Sequence, residues 1–300
     1  MTGLQSLMAF AETVKHGSFA GAARELGLSP SAVAKSVARL EDDLGLRLFH
    51  RTTRKVALTS EGHELHQRCR AIVDEFEALR DAAAGARGAP CGTLRINVPI
   101  TIGKRVIVPK LAALVRRHPG IALDVSFSDR YADVVSEGLD AAIRVGHLSD
   151  SSLVARRIGE QQLVVVASPR YLRKHGDPSH PSELASHACM VFRLPTSGRP
   201  RPWQFVDGRR MIEWTPDTAV VMNDGEALTA AAVEGLGMIQ LPDYMATAEI
   251  QAGRLRTVLD RFQPPPLPIS VVYPSARRVT PRLRAMLDAL DTDGLPGRHA

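Results

Sequence analysis

Between His16 and Gly45 the chain reads HGSFAGAARELGLSPSAVAKSVARLEDDLG, and this run constrains the fold more than any other. It contains two complete sets of helix punctuation. Ser18 caps a short helix over FAGAAREL, and Gly27 closes it. Ser29 then caps a second, with Pro30 at the first helical position, where its missing N–H costs nothing. That helix runs to about Leu44 and stops at Gly45. Upstream, Leu4, Leu7, Met8, Ala11 and Val14 keep helical spacing until HGS interrupts them. Three short helices with a tight turn between the second and third outline a helix-turn-helix. On the third, Val33, Val37, Leu40 and Leu44 form an apolar stripe, while Ser31, Ala34, Lys35, Ala38 and Arg39 form a face of small residues with two cations. Such a face suits the major groove, which needs little bulk at base edges and cations for phosphate or guanine.

The next stretch, LRLFHRTTRKVALT, changes period. Leu48 and Phe49 precede a basic turn and Val56 and Leu58 alternate after it, a short hairpin in the position of a wing with Arg51, Arg54 and Lys55 at its tip. Charge agrees: residues 1–59 hold eight Lys or Arg against five Asp or Glu, half of the chain's formal +6, a hint of a polyanionic partner. From Ser60 to about Gly85 one long helix is expected. Leu65, Cys69, Ile72, Phe76, Leu79 and Ala83 make a heptad seam flanked by Glu64, Arg68, Asp74 and Glu75, suited to pairing with a second chain, the alternative being packing on its own domain. It dissolves into AAAGARGAPCG, small-residue linker.

Three hundred residues imply two or three domains. Downstream of the linker, strand-like runs (TLRINV, IALDVSF, LDAAIRV, QLVVVAS, TAVVMN, LGMIQL, LPISVVYP) alternate with helical ones. Helices are expected over about 102–118 with Pro109 inside, over YADVVSEG, from Pro169, over DGEALTAAAVEG and from Thr280, where Leu283, Met286, Leu287 and Leu290 share a face. Alternation of this kind argues an α/β domain with a mostly parallel sheet. No secretory signal and no membrane-spanning run is expected, and Cys69, Cys91 and Cys189 give neither a disulfide framework nor metal spacing, so a reducing cytoplasm is the simplest address. No HExxH, GxSxG elbow or dinucleotide fingerprint is present, which leaves an enzyme without a reaction centre; no metal or cofactor is expected.

The run SFAGAARELGLSPSAVAKSVARLEDDLGLRLFHRTTRKVALTSEG, with LDAAIRVG and GLGMIQLP downstream, resembles the LysR-type transcriptional regulators over the whole chain. VFR and WQF resemble the branch that governs organic-acid and aromatic-acid metabolism. The resemblance implies a fold class of α/β with an all-α, winged N-terminal domain: a winged helix-turn-helix over 1–59, a linker and dimerisation helix with hinge over 60–89, and a two-lobed, periplasmic-binding-protein-like effector domain over 90–300. Its lobes would be roughly 90–165 with 268–300, and 166–267. It further implies a homodimer through the linker helices (Leu65, Cys69, Ile72, Phe76, Leu79), usually paired into a tetramer, on a partly palindromic double-stranded DNA site. RNA polymerase is a further candidate partner, and the membrane is none.

By resemblance the positions nearest the bases are Pro30, Ser31, Ala34 and Lys35, where relatives commonly carry Gln, Pro, Ser and Arg. Pro30 removes a bidentate adenine reader and Ala34 a hydroxyl, so readout should lean on Lys35 and DNA shape. Ser18, Ser29, Arg39, Arg51, Arg54 and Lys55 would hold backbone. The effector is expected as a small anion at two helix starts, one at Ile100, Thr101 and Ile102, the other at Asn223, Asp224 and Gly225, each readable also as an N-cap or core position. Arg144, Val145 and Gly146 would form a rim, with Arg144 taking a carboxylate or a buried structural salt bridge; Phe192 and Arg193 would reach in from the second lobe. The competing functions are a solute-binding sensor that does not regulate DNA directly, or a cysteine redox switch.

Overall fold

The computed structural model describes residues 3–50, 56–66, 68–69, 72, 89–148, 153–218, 220–275 and 279–291. The chain divides into two compact units, Met1–Gly92 with Asp133–Leu139, and Thr93–Ala132 with Asp140–Ala300.

In the first unit, α1 (Gly3–His16), α2 (Phe19–Leu26) and α3 (Pro30–Leu44) follow the punctuation closely. Ser18 and Ser29 accept hydrogen bonds from Gly21 N and Ala32 N, and Gly27 and Gly45 end their helices in the left-handed region that glycine adopts at no steric cost. Val33, Val37 and Leu40 sink into a core with Ala9, Phe10, Ala22, Ala23, Leu48 and Cys69. Leu44, the fourth residue of the expected stripe, is instead 44% exposed, because it lies in the last turn, beyond the reach of α1 and α2. After α3, Phe49 bridges Leu58 antiparallel, His50 N donates to Ala57 O and Thr59 N to Leu48 O, which gives the base of a wing. Arg51, Arg54 and Lys55 at its tip lie outside the described residues.

Residues 60–66, 68–69 and 72 are helical. Leu65 packs against the N-terminal core and Cys69 is fully buried in it, so this stretch of the expected seam is used within its own domain. Cys69 and Leu65 are thus corrected from partner-facing to core positions: the helix must first cover the apolar face left by α1 and the wing. Ile72 is 48% exposed; Phe76 and Leu79 lie outside the described residues.

The second unit has two lobes. Its larger sheet runs β2 (Ile121–Phe127), β1 (Gly92–Val98), β3 (Ala141–Val145), β12 (Leu267–Pro274), β4 (Leu153–Gln161). β1 and β3 are parallel, but β12 is antiparallel to both β3 and β4. The expectation of a mostly parallel sheet is therefore corrected to a mixed one: the chain returns from the second lobe through β12, against the direction of β3. Helix Pro281–Asp291 covers it, burying Leu283, Met286, Leu287 and Leu290 as their spacing indicates. The helix expected over about 102–118 begins earlier, at Ile100, and passes through a π-helical turn at Gly103–Ile107 before Val108–Arg117. Pro109 supplies the reason: it has no N–H to offer and its ring crowds the carbonyl four residues back, so the turn before it widens. YADVVSEG forms a turn, not a helix; Asp133 accepts from Val135 N and Ser136 N, and Gly138 at φ 61° ends it after a single revolution.

In the second lobe, β5 (Leu163–Ala167) lies between β10 (Ile239–Pro242) and β11 (Arg256–Val258), antiparallel to both. β5 is buried on both faces, and its alternation feeds two cores: Val165 and Ala167 into one, Val164 and Val166 into the other. Short β6 (Val191–Phe192) and β9 (Val221–Met222) pair in parallel, and β7 (Trp203–Asp207) with β8 (Arg210–Trp214) forms a hairpin whose Trp203 and Phe205 enter the first of those cores. WQF is therefore core material. Among the described residues no helix is long and apolar enough to cross a membrane.

Candidate functional site

On α3 the burial pattern separates two faces. Val33, Val37 and Leu40 are buried, Ala34 is partly covered, and Ser29, Pro30, Ser31, Lys35, Ala38 and Arg39 are exposed. None of the exposed side chains meets the core. Ser29 Oγ accepts Ala32 N–H and shares a hydrogen bond of 3.0 Å with Ser31 Oγ, in which either hydroxyl can donate, and Ser18 accepts Gly21 N–H. Sequence reasoning passed over Glu41. Its carboxylate accepts Leu48 N–H at 2.7 Å, Phe49 N–H at 3.3 Å and an Arg47 Nη1 bond at 3.0 Å, tying the end of α3 to the first strand of the wing. Phe49 in turn packs on the rings of Phe10 and Phe19, at 5.4 and 5.9 Å. Hydrogen bonds and ring contacts therefore join α3 and the helices beneath it to the base of the wing.

In the second unit a cavity of about 390 Å³ opens between the lobes. It lies where an open α/β sheet generally receives ligands, off the carboxyl ends of β1, β2 and β3. Of the sequence candidates, Thr101, Ile102, Arg144, Val145, Phe192 and Gly225 line it; Ile100, Gly146, Arg193, Asn223 and Asp224 do not. The two helix starts do meet: a Cβ built on Gly225 would stand 3.9 Å from Thr101 Oγ1. Their anion capacity is nevertheless taken up by the protein's own carboxylates. Asp129 accepts Ile100 N–H at 2.9 Å, and Asp224 accepts Ala227 N–H at 2.8 Å. Ile100 and Asp224 are thereby corrected to capping positions. Gly146 serves the sheet instead, its N–H donating to Pro268 O.

Arg144 is only 6% exposed and its guanidinium is engaged: Nη1 donates to Asn97 Oδ1 at 3.0 Å, Nη2 to Ala132 O at 2.6 Å, and Tyr131 stacks over it at 5.0 Å. It braces the cavity wall. Arg193 points to solvent, because Phe192 before it takes the inward side of β6. The chain then turns back through Gly198, Arg193 pairs with Pro200, and Arg201 N donates to Phe192 O at 2.8 Å. The cation that the second lobe delivers to the cavity is thus Arg201, eight residues further on, while the exposed Arg130 lines it from the first lobe. Burial lowers its pKa and the nearby Tyr244 works against that. Its guanidinium has no hydrogen bond or ion pair among the described residues. Tyr244 is largely buried and donates to Gln161 Oε1 at 3.3 Å; burial and then the Asp243 carboxylate raise its pKa, Arg201 opposes them and Asp129 adds to them. Asp129, Arg201, Gln161 and Tyr244 all line the cavity and were missed. Asp129 follows the end of β2 and was findable from the strand-end rule; Arg201 needed the hairpin.

Against known families, residues 4–63 match the bacterial regulatory helix-turn-helix protein of the lysR family, and residues 87–294 match the LysR substrate binding domain. This chain belongs to the LysR family of transcriptional regulators. A regulator from Xanthomonas campestris pv. campestris is 36% identical to it over 291 residues, spanning 96% of this chain and 85% of that one. The structure of CrgA, a LysR-type regulator from Neisseria meningitidis, superposes with a TM-score of 0.62 at 33% identity, covering 95% of this chain and 97% of that one. The Vibrio cholerae virulence activator AphB gives 0.63 at 26%, covering 97% and 99%. This LysR-type regulator is a transcription factor with an effector-type domain, and not an enzyme. LysR-type regulators bind DNA and small-molecule effectors and form oligomers.

Proposed function

We propose that this regulator recognises a partly palindromic promoter site, with residues 1–59 on DNA, 60–89 as linker and 90–300 receiving a small organic anion that alters its grip. The observation that carries the DNA reading is the exposed face of α3, where Ser31 and Lys35 stand free of the core. Pro30, Ser31, Ala34 and Lys35 meet base edges; Ser18, Ser29, Arg39 and the wing cations Arg51, Arg54 and Lys55 hold phosphate or the minor groove. A mobility-shift assay on DNA upstream of the gene tests it. Lys35→Ala should weaken specific binding by about 1–3 kcal/mol, and Arg54→Ala should weaken binding to all sequences and lower the salt slope by about one. No shift at low salt with folded, assembled protein would sink the reading.

Dimerisation through the linker rests on Ile72, which is exposed, with Phe76 and Leu79, the seam beginning beyond Cys69. Sedimentation of an Ile72→Lys, Leu79→Lys double variant tests it; an unchanged mass overturns it. A dimer of dimers, contact with RNA polymerase and residence in the bacterial cytoplasm belong to the same reading. The effector reading is carried by the interlobe cavity and by Arg201 in its wall, which has no hydrogen bond or ion pair from its guanidinium among the described residues. The redox alternative is disfavoured: burial pushes the Cys189 thiol up to about 12 and Cys69 to about 11, so neither is a thiolate at neutral pH.

A further inference from the structure

Among the described residues, the interlobe cavity is lined by three arginines, Arg130, Arg144 and Arg201, and one carboxylate, Asp129. Arg201 brings a guanidinium with no partner among the described residues. Arg201 is partly exposed, and a cation that has lost part of its water without gaining a counter-ion is unfavourable, so an anion supplied from outside would complete this wall. Asp129 spends Oδ1 on Ile100 N–H, and Oδ2 has no partner among the described residues. No ion pair joins Asp129 to Arg201, although both line the same cavity and act on the hydroxyl of Tyr244. Arg144, the buried cation in the wall, is already engaged by Asn97 and Ala132, and Arg130 is exposed to solvent. The lining also holds apolar side chains, among them Phe192, Leu228, Leu241 and Met245, beside polar ones such as Gln161, Thr196 and Gln240.

A simple anion would satisfy Arg201 and leave Asp129 Oδ2 without a donor. A ligand carrying both signs satisfies each. We propose that the cavity selects an apolar α-amino acid, its carboxylate seated bidentately on Arg201, its ammonium on Asp129, and its side chain on the apolar wall. This rests on the reading of the cavity as the effector site, and it names the class of effector.

The test is calorimetric titration of the full-length protein with leucine, methionine and phenylalanine, each beside its deaminated carboxylate and its decarboxylated amine. At least one amino acid should bind, with its matched acid and amine each about tenfold or more weaker. Arg201→Gln should abolish binding of the amino acid. Asp129→Asn keeps an oxygen for Ile100 N–H and should bring the amino acid down to the affinity of its matched acid. Unchanged melting temperatures establish that both variants fold. An acid that binds wild type as tightly as its amino acid, through Arg201, overturns the zwitterion assignment and leaves the anionic-effector reading standing. No binding by any amino acid also overturns it. The effector reading itself falls if Thr101→Trp, which blocks the cavity, leaves the response of DNA binding to cell metabolites unchanged.

Discussion

Glu41 shows how much one side chain decides. Three hydrogen bonds converge on its carboxylate from Arg47, Leu48 and Phe49, two of them from backbone N–H groups that would otherwise lack a partner at the start of the wing. Glu41→Ala should therefore destabilise the N-terminal unit by about 1–3 kcal/mol and weaken DNA binding with it, as thermal melts and mobility shifts on the same preparation will show. His187 makes a second case. Burial, then the neighbouring His175, depress its pKa, and its Nδ1 lies 3.3 Å from the Tyr171 hydroxyl. The folded state thus binds fewer protons here than the unfolded chain, so stability falls as pH drops below the ordinary histidine value of 6.5 and goes on falling until the folded pKa is passed. His187→Gln should flatten the decline of melting temperature between pH 6.5 and 5. Residues whose role is local were legible in the sequence: Ser18, Ser29, Gly27 and Gly45 act within their own turn. Arg201 was not, because its partner in space, Phe192, lies beyond a hairpin that no local preference announces.

Helices of the N-terminal unit could be read nearly to the residue, since caps and apolar spacing agreed there. The strands were harder. β4 was missed because it is an edge strand, paired only with β12, and it carries Arg156, Arg157 and Glu160 where an alternating apolar pattern would otherwise show. It also bulges: the register steps from Gly159 to Arg157 opposite Ile269 and Ser270, which turns Ile158 into the core. The helix from Ile100 rests close on its sheet at one point, Gly103. A Cβ there would stand 2.7 Å from Phe127 Cε1 and 3.0 Å from Val98 Cγ1. Gly103→Ala should cost about 1–3 kcal/mol through overpacking, measured by denaturant unfolding, in spite of alanine's better helix propensity.

Between the lobes, charges from distant parts of the sequence meet. Lys104 Nζ lies 3.0 Å from Glu226 Oε2, and Arg105 Nε 3.5 Å from Oε1 of the same carboxylate. Lys104 and Arg105 belong to the first lobe and Glu226 to the first turn of helix Gly225–Val233 in the second. These groups are partly exposed, so Glu226→Gln should change global stability by under about 1 kcal/mol. Hydrogen exchange in the first turn of that helix should nevertheless rise, because the link across the cleft is lost. An unchanged exchange rate would show that the ion pairs do not hold that turn.

From the sequence alone came the helix-turn-helix, its caps, the bare face of α3, the wing, and the resemblance that the family matches established. Each depends on residues within a few positions of one another, where spacing and capping act directly. Only tertiary structure decided that the second unit's sheet is mixed, that Cys69 is core, that the helix starts are capped by Asp129 and Asp224, and that Arg201 lines the cavity. Those outcomes depend on which distant segments lie side by side, and burial and charge pairing act through that proximity rather than through order along the chain.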